Sequence, residues 1–317
     1  MGVKIQTVCG AVDPSALGFC HSHDHIMVAK GKPAEIDPSL CMDDFEKSLQ
    51  ELALFKAAGG NAIVDCQPVG AGRMSDALVA LSQKSGVLIV AATGFHKMAF
   101  YPNGHWVFEY GEAQLTQIFI HELTKGMFVG TETAEPIDSH DATAGVIKVA
   151  YDVVGLTKQY TKLFSAAAAA QIKTHAPMII HIDNGCDPLV LDDFLTRLGV
   201  DNDKRIYCHL DRAVRDIGVH IELLKRGAYI EYDTIHRLKY HSDIDEITII
   251  KQVLDAGFAD KILLGLDSTR ARFAAYGGTP GLDYIKSKFI ALMEAEGIPY
   301  AVGLRFMQEN PAKAFAF

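Results

Sequence analysis

Eight short apolar runs alternate with amphipathic stretches, and five of those runs carry a metal-binding side chain near one end; together these features predict a closed (β/α)₈ TIM barrel. The alternation alone indicates a parallel sheet, either closed or doubly wound. The polar residues decide between the two. An open sheet gathers its function at one crevice fed by two or three strands, whereas ligand-type residues here end the first, fourth, fifth, sixth and eighth runs. Only a closed barrel brings all of those ends to one mouth.

In chain order, residues 4–17 read as a short β-hairpin covering the barrel bottom. The first run, 18–28, holds His21, His23 and His25, which at i, i+2 and i+4 of a strand point the same way. A helical stretch at 42–58 closes on Ala57-Ala58-Gly59-Gly60, where glycine relieves the left-handed cap. Runs 61–67 and 87–95 are separated by a helical stretch at 74–84, and another helix follows at 113–125. Run 145–150 is Gly-Val-Ile-Lys-Val-Ala, and the helix at 158–173 carries alanines 166–170 as a close-packed face. Run 177–183 precedes a helix at 188–198, and run 205–211 precedes one at 214–225 that stops before Gly227. The pairs 228–234 with 244–256, and 261–267 with 282–296, complete the eight units. No linker or composition break divides the chain, so residues 1–317 form one expected domain. The longer loops after runs three, seven and eight are the expected substrate rim.

With 49% hydrophobic and 22% charged residues the chain has ample material for a core. A net charge of -9 argues against nucleic acid or an anionic membrane as partner, although a local basic cluster can still serve a small anionic substrate. No secretory signal and no uncharged apolar stretch long enough to span a membrane is visible. The six cysteines are scattered without a CxxC pair, which points to reduced thiols in a cytoplasmic enzyme. A homodimer is one assembly open to it.

Strands this apolar should be buried, and buried His, Lys and Asp need partners that offset their desolvation. One shared centre, a pair of metal ions, supplies partners for all of them. Lys148 is the diagnostic residue. Burial is expected to depress its pKa and leave a neutral amine, and reaction with carbon dioxide then gives a carbamate able to bridge two cations. The alternative is a lysine that snorkels to the barrel mouth.

The segments Gly18-Phe19 with His23-Asp24-His25-Ile26, Ala144-Gly145-Val146-Ile147-Lys148-Val149-Ala150, Pro177 to His181, Cys208-His209, Ile262-Leu263-Leu264 to Asp267, and Asn310-Pro311-Ala312 resemble the phosphotriesterase-like branch of the amidohydrolase superfamily. The resemblance implies that His23, His25 and Asp267 bind a more buried ion and His181 and His209 a more exposed one. It also implies that carbamylated Lys148 and a hydroxide bridge the two, with His21 the surplus histidine. Zinc is the expected metal, with Mn, Co or Fe as alternatives. In that arrangement the hydroxide attacks the substrate, and Asp267 takes the proton and delivers it to the leaving oxygen.

One departure bears on the substrate. The phosphotriesterases proper follow the aspartate ending strand seven with a histidine, whereas here Thr234 follows Asp233 and His236 stands two residues on. The loops after strands seven and eight resemble those of the sugar-phosphate lactonases, which implies a phosphate held by Lys239, Arg272 and Tyr276, with Arg270 the rival of Arg272. His96, ending strand three, is placed to touch substrate. Asp65, Asp183 and Asp211 are placed to orient ligand histidines or to make ordinary loop hydrogen bonds, and Tyr101 and Trp106 to form an apolar wall or simple packing. The expected function is hydrolysis of a phosphorylated furanose lactone. Apolar lactones, carboxylic esters and phosphotriesters are the alternative substrates, and a non-catalytic metal-binding barrel is the alternative class.

Overall fold

The structure, a computed structural model, describes residues 2–317. Strands β1 (Ile5–Thr7) and β2 (Gly10–Val12) form an antiparallel hairpin. Eight parallel strands follow in spatial order: β3 (Cys20–Asp24), β4 (Ala62–Asp65), β5 (Leu88–Gly94), β6 (Val146–Tyr151), β7 (Met178–Ile182), β8 (Arg205–Cys208), β9 (Tyr229–Tyr232) and β10 (Ile262–Leu264). The ring closes where the amides of Leu266 and Asp267 both donate to the His23 carbonyl, at 3.2 and 3.1 Å. The barrel expected from the sequence is therefore present, each strand lying within its apolar run or one residue beyond it.

Alternation along the strands builds two apolar layers. Ala62, Val64, Val90, Ala92, Val146, Ile179, Ile206 and Leu263 fill the barrel. Their neighbours Ile63, Ile89, Ala91, Ile147, Val149, Ile180, Tyr207, Ile230 and Ile262 face the helices. Ile5, Leu17 and Phe315 join the inner layer, so the hairpin and the C-terminal tail plug the barrel bottom together. Lys4 and Phe317 exchange both main-chain hydrogen bonds, at 3.1 and 2.9 Å, and fix that plug. Continuing the inner series upward gives Lys148, His181, Glu231 and Asp233. The polar centre thus occupies the top of the same register that packs the core below it.

Helix boundaries shift where a cap decides them. The helix expected at 42–58 runs Phe45–Ala57, because the Asp44 carboxylate accepts from the Lys47 amide at 3.1 Å. The one expected at 214–225 starts at Ile217 behind the Asp216 cap. The stretch at 282–296 begins with a π-helical turn, Ile285–Phe289, and two further helices, Tyr300–Met307 and Glu309–Ala314, lie beyond the expected elements. No helix among the described residues is long and apolar enough to cross a membrane.

One buried ion pair supports the loop after β4. Arg73 donates to both oxygens of Glu122 at 2.9 and 2.5 Å, and to the carbonyls of Ala92 and Phe128. Glu122→Ala leaves that guanidinium buried without its counter-charge, and is expected to lower the unfolding free energy by about 3–5 kcal/mol in a urea titration. Arg73→Met on the Glu122→Ala background should recover part of the loss.

Candidate metal centre

The first strand carries its histidines to two sides. A bulge between His21 and Asp24 breaks the alternation, so the expectation that all three rings share one face does not hold. His21 packs edge-on against Phe55 in the helix layer and bonds Asp24 through Nδ1 at 2.7 Å. His23 turns into the barrel, its Nε2 lying 3.2 Å from Lys148 Nζ and 3.8 Å from Asp267 Oδ1. His25 Nε2 lies 3.5 Å from the same oxygen. The His209 ring stands 4.8 Å from His23 and 4.4 Å from His181, centre to centre. The His209 and Asp267 backbones reach this geometry at positive φ, 65° and 44°.

These spacings fit a cation. Ligand bonds of about 2.1 Å put neighbouring donor atoms about 3–3.5 Å apart, close to the separations around His23, His25, Lys148 and Asp267. The donor atoms of His23, His25 and Asp267 all lie within 4.8 Å of one another. A second buried group joins His23 and His209 to Cys208 and Asp233; His181 stands outside both, its buried Nε2 making no hydrogen bond and lying 3.5 Å from Asp183 Oδ1. Burial, reinforced by nearby cations, pushes the imidazolium pKa of His23 and His209 well below the usual value and that of His181 down to about 3. All three are therefore neutral imidazoles, the form that binds a metal. Burial opposes ionisation of Asp267, but the Arg237 guanidinium, with a hydrogen bond from His25, holds its carboxyl well below the usual range.

Lys148 is fully buried, yet its pKa runs opposite to the sequence-based expectation. Burial pulls the ammonium down, but the Cys208 and Cys66 thiols with the Glu231 and Asp267 carboxylates offset it and leave Lys148 above the usual lysine value. The acids around it are short of positive charge. Burial pushes Glu231 up to about 8 despite Lys148, and pushes Asp233 well above the usual range with help from Asp211, Glu231 and Asp267. A cation held by the neighbouring donor atoms would supply what this cluster lacks.

Glu231 and Asp233 hold the candidate ligand histidines His23 and His209, a role absent from the sequence-based assignment. Glu231 Oε2 meets His23 Nδ1 at 2.8 Å, and Asp233 Oδ1 meets His209 Nδ1 at 2.7 Å. The signal was two acids at i and i+2 in the otherwise apolar Tyr229-Ile230-Glu231-Tyr232-Asp233. Glu231→Gln keeps the shape and removes the charge behind His23. It is expected to weaken metal affinity about 10–100-fold in a chelator competition titration. Of the acids expected to orient ligands, Asp65 instead accepts from the Ile26 and Gln67 amides and shapes the strand ends. Asp211 accepts from the Asp233 and Thr234 amides, and Asp183 alone approaches a ligand-type histidine, His181 Nε2, at 3.5 Å.

A cavity of about 360 Å³ opens above these residues and is lined by His96, Lys239 and Arg272 among the expected substrate contacts. His96 stacks on Phe100 at 4.3 Å. Tyr276 and Arg270 do not line it. The Tyr276 hydroxyl donates to the Asp44 carbonyl at 2.9 Å, and exposed Arg270 lies over the Tyr276 ring. Arg272 faces the cavity but donates to the carbonyls of Ile235 and His236, tying down the loop after β9. His236 turns away toward Asp243, with Nδ1 3.2 Å from Oδ2, so no relay runs through it. Tyr101 and Trp106 are packing residues whose polar atoms meet His96 N and Thr131 O. The loop after β3, outside the expected rim, adds Pro33, Asp37 and Leu40 to the wall, while Arg212, Arg237 and Lys97 add cations.

The profile of the phosphotriesterase family matches residues 3–315. The phospho-furanose lactonase of Mycoplasmopsis synoviae (strain 53) is 26% identical over 324 residues, covering 98% of this chain and 91% of its own. N-acetyltaurine hydrolase of Xenopus tropicalis is 26% identical over 355 residues, covering 99% and 98%. Among solved structures, a lactonase from Listeria monocytogenes superposes with a TM-score of 0.89 at 26% identity over 98% of each chain.

Proposed function

This chain belongs to the phosphotriesterase family and is a metal-dependent hydrolase, and from that premise we propose that it opens the ring of a phosphorylated furanose lactone. The observation that carries the reading is the charge of the cavity. Arg212, Arg237, Lys239 and Lys97 line it beside the His23–His25–Asp267 cluster, in a protein whose net charge is -9. A cation-lined cavity on an acidic protein selects an anion and disfavours an apolar lactone or a neutral phosphotriester. The names of the two relatives, a phospho-furanose lactonase and an N-acetyltaurine hydrolase, both denote acyl substrates that carry an oxyanion.

His23, His25 and Asp267 would hold one divalent cation and His181 and His209 a second, with Lys148, as a carbamate, between them. When bound, the cations supply Lewis-acid polarisation of the lactone carbonyl and a water activated near neutral pH. The protein's own groups do the rest. Glu231 and Asp233 keep the Nε2 atoms of His23 and His209 aimed inward by holding their Nδ1 atoms. Asp267, ionised and with Oδ2 2.9 Å from Arg237, accepts the proton of the attacking water and returns it to the ring oxygen as the acyl–oxygen bond breaks. Leu40, Phe100 and His96 add apolar and aromatic surface to the cavity wall.

The test compares hydrolysis of a pentono-1,4-lactone with and without a 5-phosphate, using Zn-loaded protein and a pH indicator. A kcat/KM at least about 100-fold higher for the phosphorylated lactone is expected, the size of effect a charge-assisted anion contact provides. Equal rates, or no hydrolysis of either, overturn the reading.

A further inference from the structure

The cations of the cavity are not equally free. Arg237 is committed to Asp267, donating to Oδ2 at 2.9 Å and to its carbonyl at 2.6 Å. Arg272 spends its two terminal nitrogens on Ile235 and His236 carbonyls. Lys97 pairs with Asp183 at 3.1 Å. Arg212 differs: among the described residues its guanidinium has no hydrogen-bond acceptor and no ion pair, and its Nε is sealed from solvent without a partner. The Asp267, Asp233 and Asp211 carboxylates offset the charge of this half-buried guanidinium from a distance, but its N–H groups are left without an acceptor, which is costly unless something outside the chain completes them.

The surroundings of Arg212 specify what completes it. The guanidinium lies 5.3 Å from the centre of the Tyr240 ring, and Lys239 Nζ lies 4.8 Å from the same ring. Two cations gathered on one ring repel each other, and an anion between them turns that repulsion into attraction. The base of Arg212 is rigid. Its amide donates to Asp211 Oδ1 at 3.0 Å, while Asp211 Oδ2 accepts from the Asp233 and Thr234 amides and the Thr234 hydroxyl. Asp211 thus couples the Arg212 backbone to the strand that aims His209. It fixes the backbone from which the Arg212 side chain extends over the Tyr240 ring, which lowers part of the ordering cost of binding.

We propose that Arg212 is the anchor for the substrate's anionic group, a phosphate or sulfonate oxyanion, with Tyr240 backing the guanidinium and Lys239 closing from the solvent side. This deepens the lactone reading and rests on it for the identity of the substrate, but the anion site can be tested without any lactone. Arg212 lines the same cavity as His181 and His209, so a substrate anchored there shares the space above those histidines.

The Zn-loaded protein is titrated calorimetrically with propane-1-sulfonate, a weakly metal-coordinating anion. Binding is expected in the unsubstituted protein, weaker by about tenfold or more in Arg212→Met and intermediate in Arg212→Lys, which keeps the charge and loses the fork. Arg215→Met, an exposed cation outside the cavity, should bind as the parent does; melting temperature and zinc content report that each variant is folded and loaded. Equal affinity in Arg212→Met and the parent, or no binding to the parent, overturns the proposal. The lactone pair separates the two claims. Sulfonate binding that depends on Arg212, without any preference for the phosphorylated lactone, removes the lactone reading and keeps the anchor. A phosphate preference that survives Arg212→Met removes the anchor and keeps the lactone reading.

Discussion

Asp267→Asn is expected to lower kcat for ester hydrolysis by about 10³-fold, the scale of a lost general acid–base group, while leaving the melting temperature nearly unchanged. The fold should tolerate it for a backbone reason. Asp267 sits at φ 44°, a left-handed conformation that asparagine adopts more readily than most residues. Asparagine also fills the same volume and can still accept from Arg237. What it cannot do is carry a negative charge between His25, His23 and Arg237, or take and return a proton. Reduced zinc content is expected alongside the loss of kcat, so the assay is run at saturating zinc to separate the two. If kcat at saturating zinc stays within tenfold of the parent, the proton is handled elsewhere and Asp267 is only a ligand.

The barrel is legible in this sequence because burial on both faces makes each strand a continuous apolar run, and because polar residues interrupt those runs only near their ends. The same rule points to His23, His25, Lys148, His181, His209 and Asp267, which the fold gathers at one mouth. The rule weakens where the pleat breaks. Strict alternation puts His21 beside His23, and the bulge in β3, invisible in the residue order, moves it to the helix layer. It also weakens where function lies one layer behind the ligands. Glu231 and Asp233 touch no substrate-facing space, and their acidity in an apolar strand is legible only once β9 is known to face inward.

Rim residues are the least legible, because loops place side chains by local hydrogen bonds rather than by period. Tyr276 looks like a phosphate contact by composition and is instead fastened to Asp44 and Ser48. Arg272 looks like a free fork and is fastened to two carbonyls. Arg212 follows His209 and Asp211 inside a four-residue helical turn, where nothing in the sequence separates it from an ordinary surface arginine. Its distinction is an absence of partners, and only a structure can display that.

Lys148→Met gives two opposed outcomes according to what the lysine does. Methionine has a similar length and no charge. If Lys148 were only a buried cation balancing Glu231 and Asp267, its removal would leave two acids unpaired and cost stability, with metal uptake unchanged or improved by the loss of a positive charge beside the site. As the precursor of a bridging carbamate, the amine adds to carbon dioxide, loses a proton and becomes an anion, so its replacement removes a ligand from both cations at once. Metal affinity is then expected to fall by more than about 100-fold, beyond the range for losing a supporting residue alone. Hydrolysis should fall with it. A second measurement isolates the chemistry. Zinc uptake by the unsubstituted protein should slow in buffer stripped of carbon dioxide and recover on adding bicarbonate, whereas Lys148→Met should ignore both. Its Nζ lies 3.2 Å from His23 Nε2 and 3.6 Å from Cys208 Sγ in a fully buried site, so any carboxylate formed on it has no solvent to face and must be met by cations. Uptake that is indifferent to carbon dioxide in both proteins leaves Lys148 as an ammonium, and the proposed two-cation centre would then need another bridging anion.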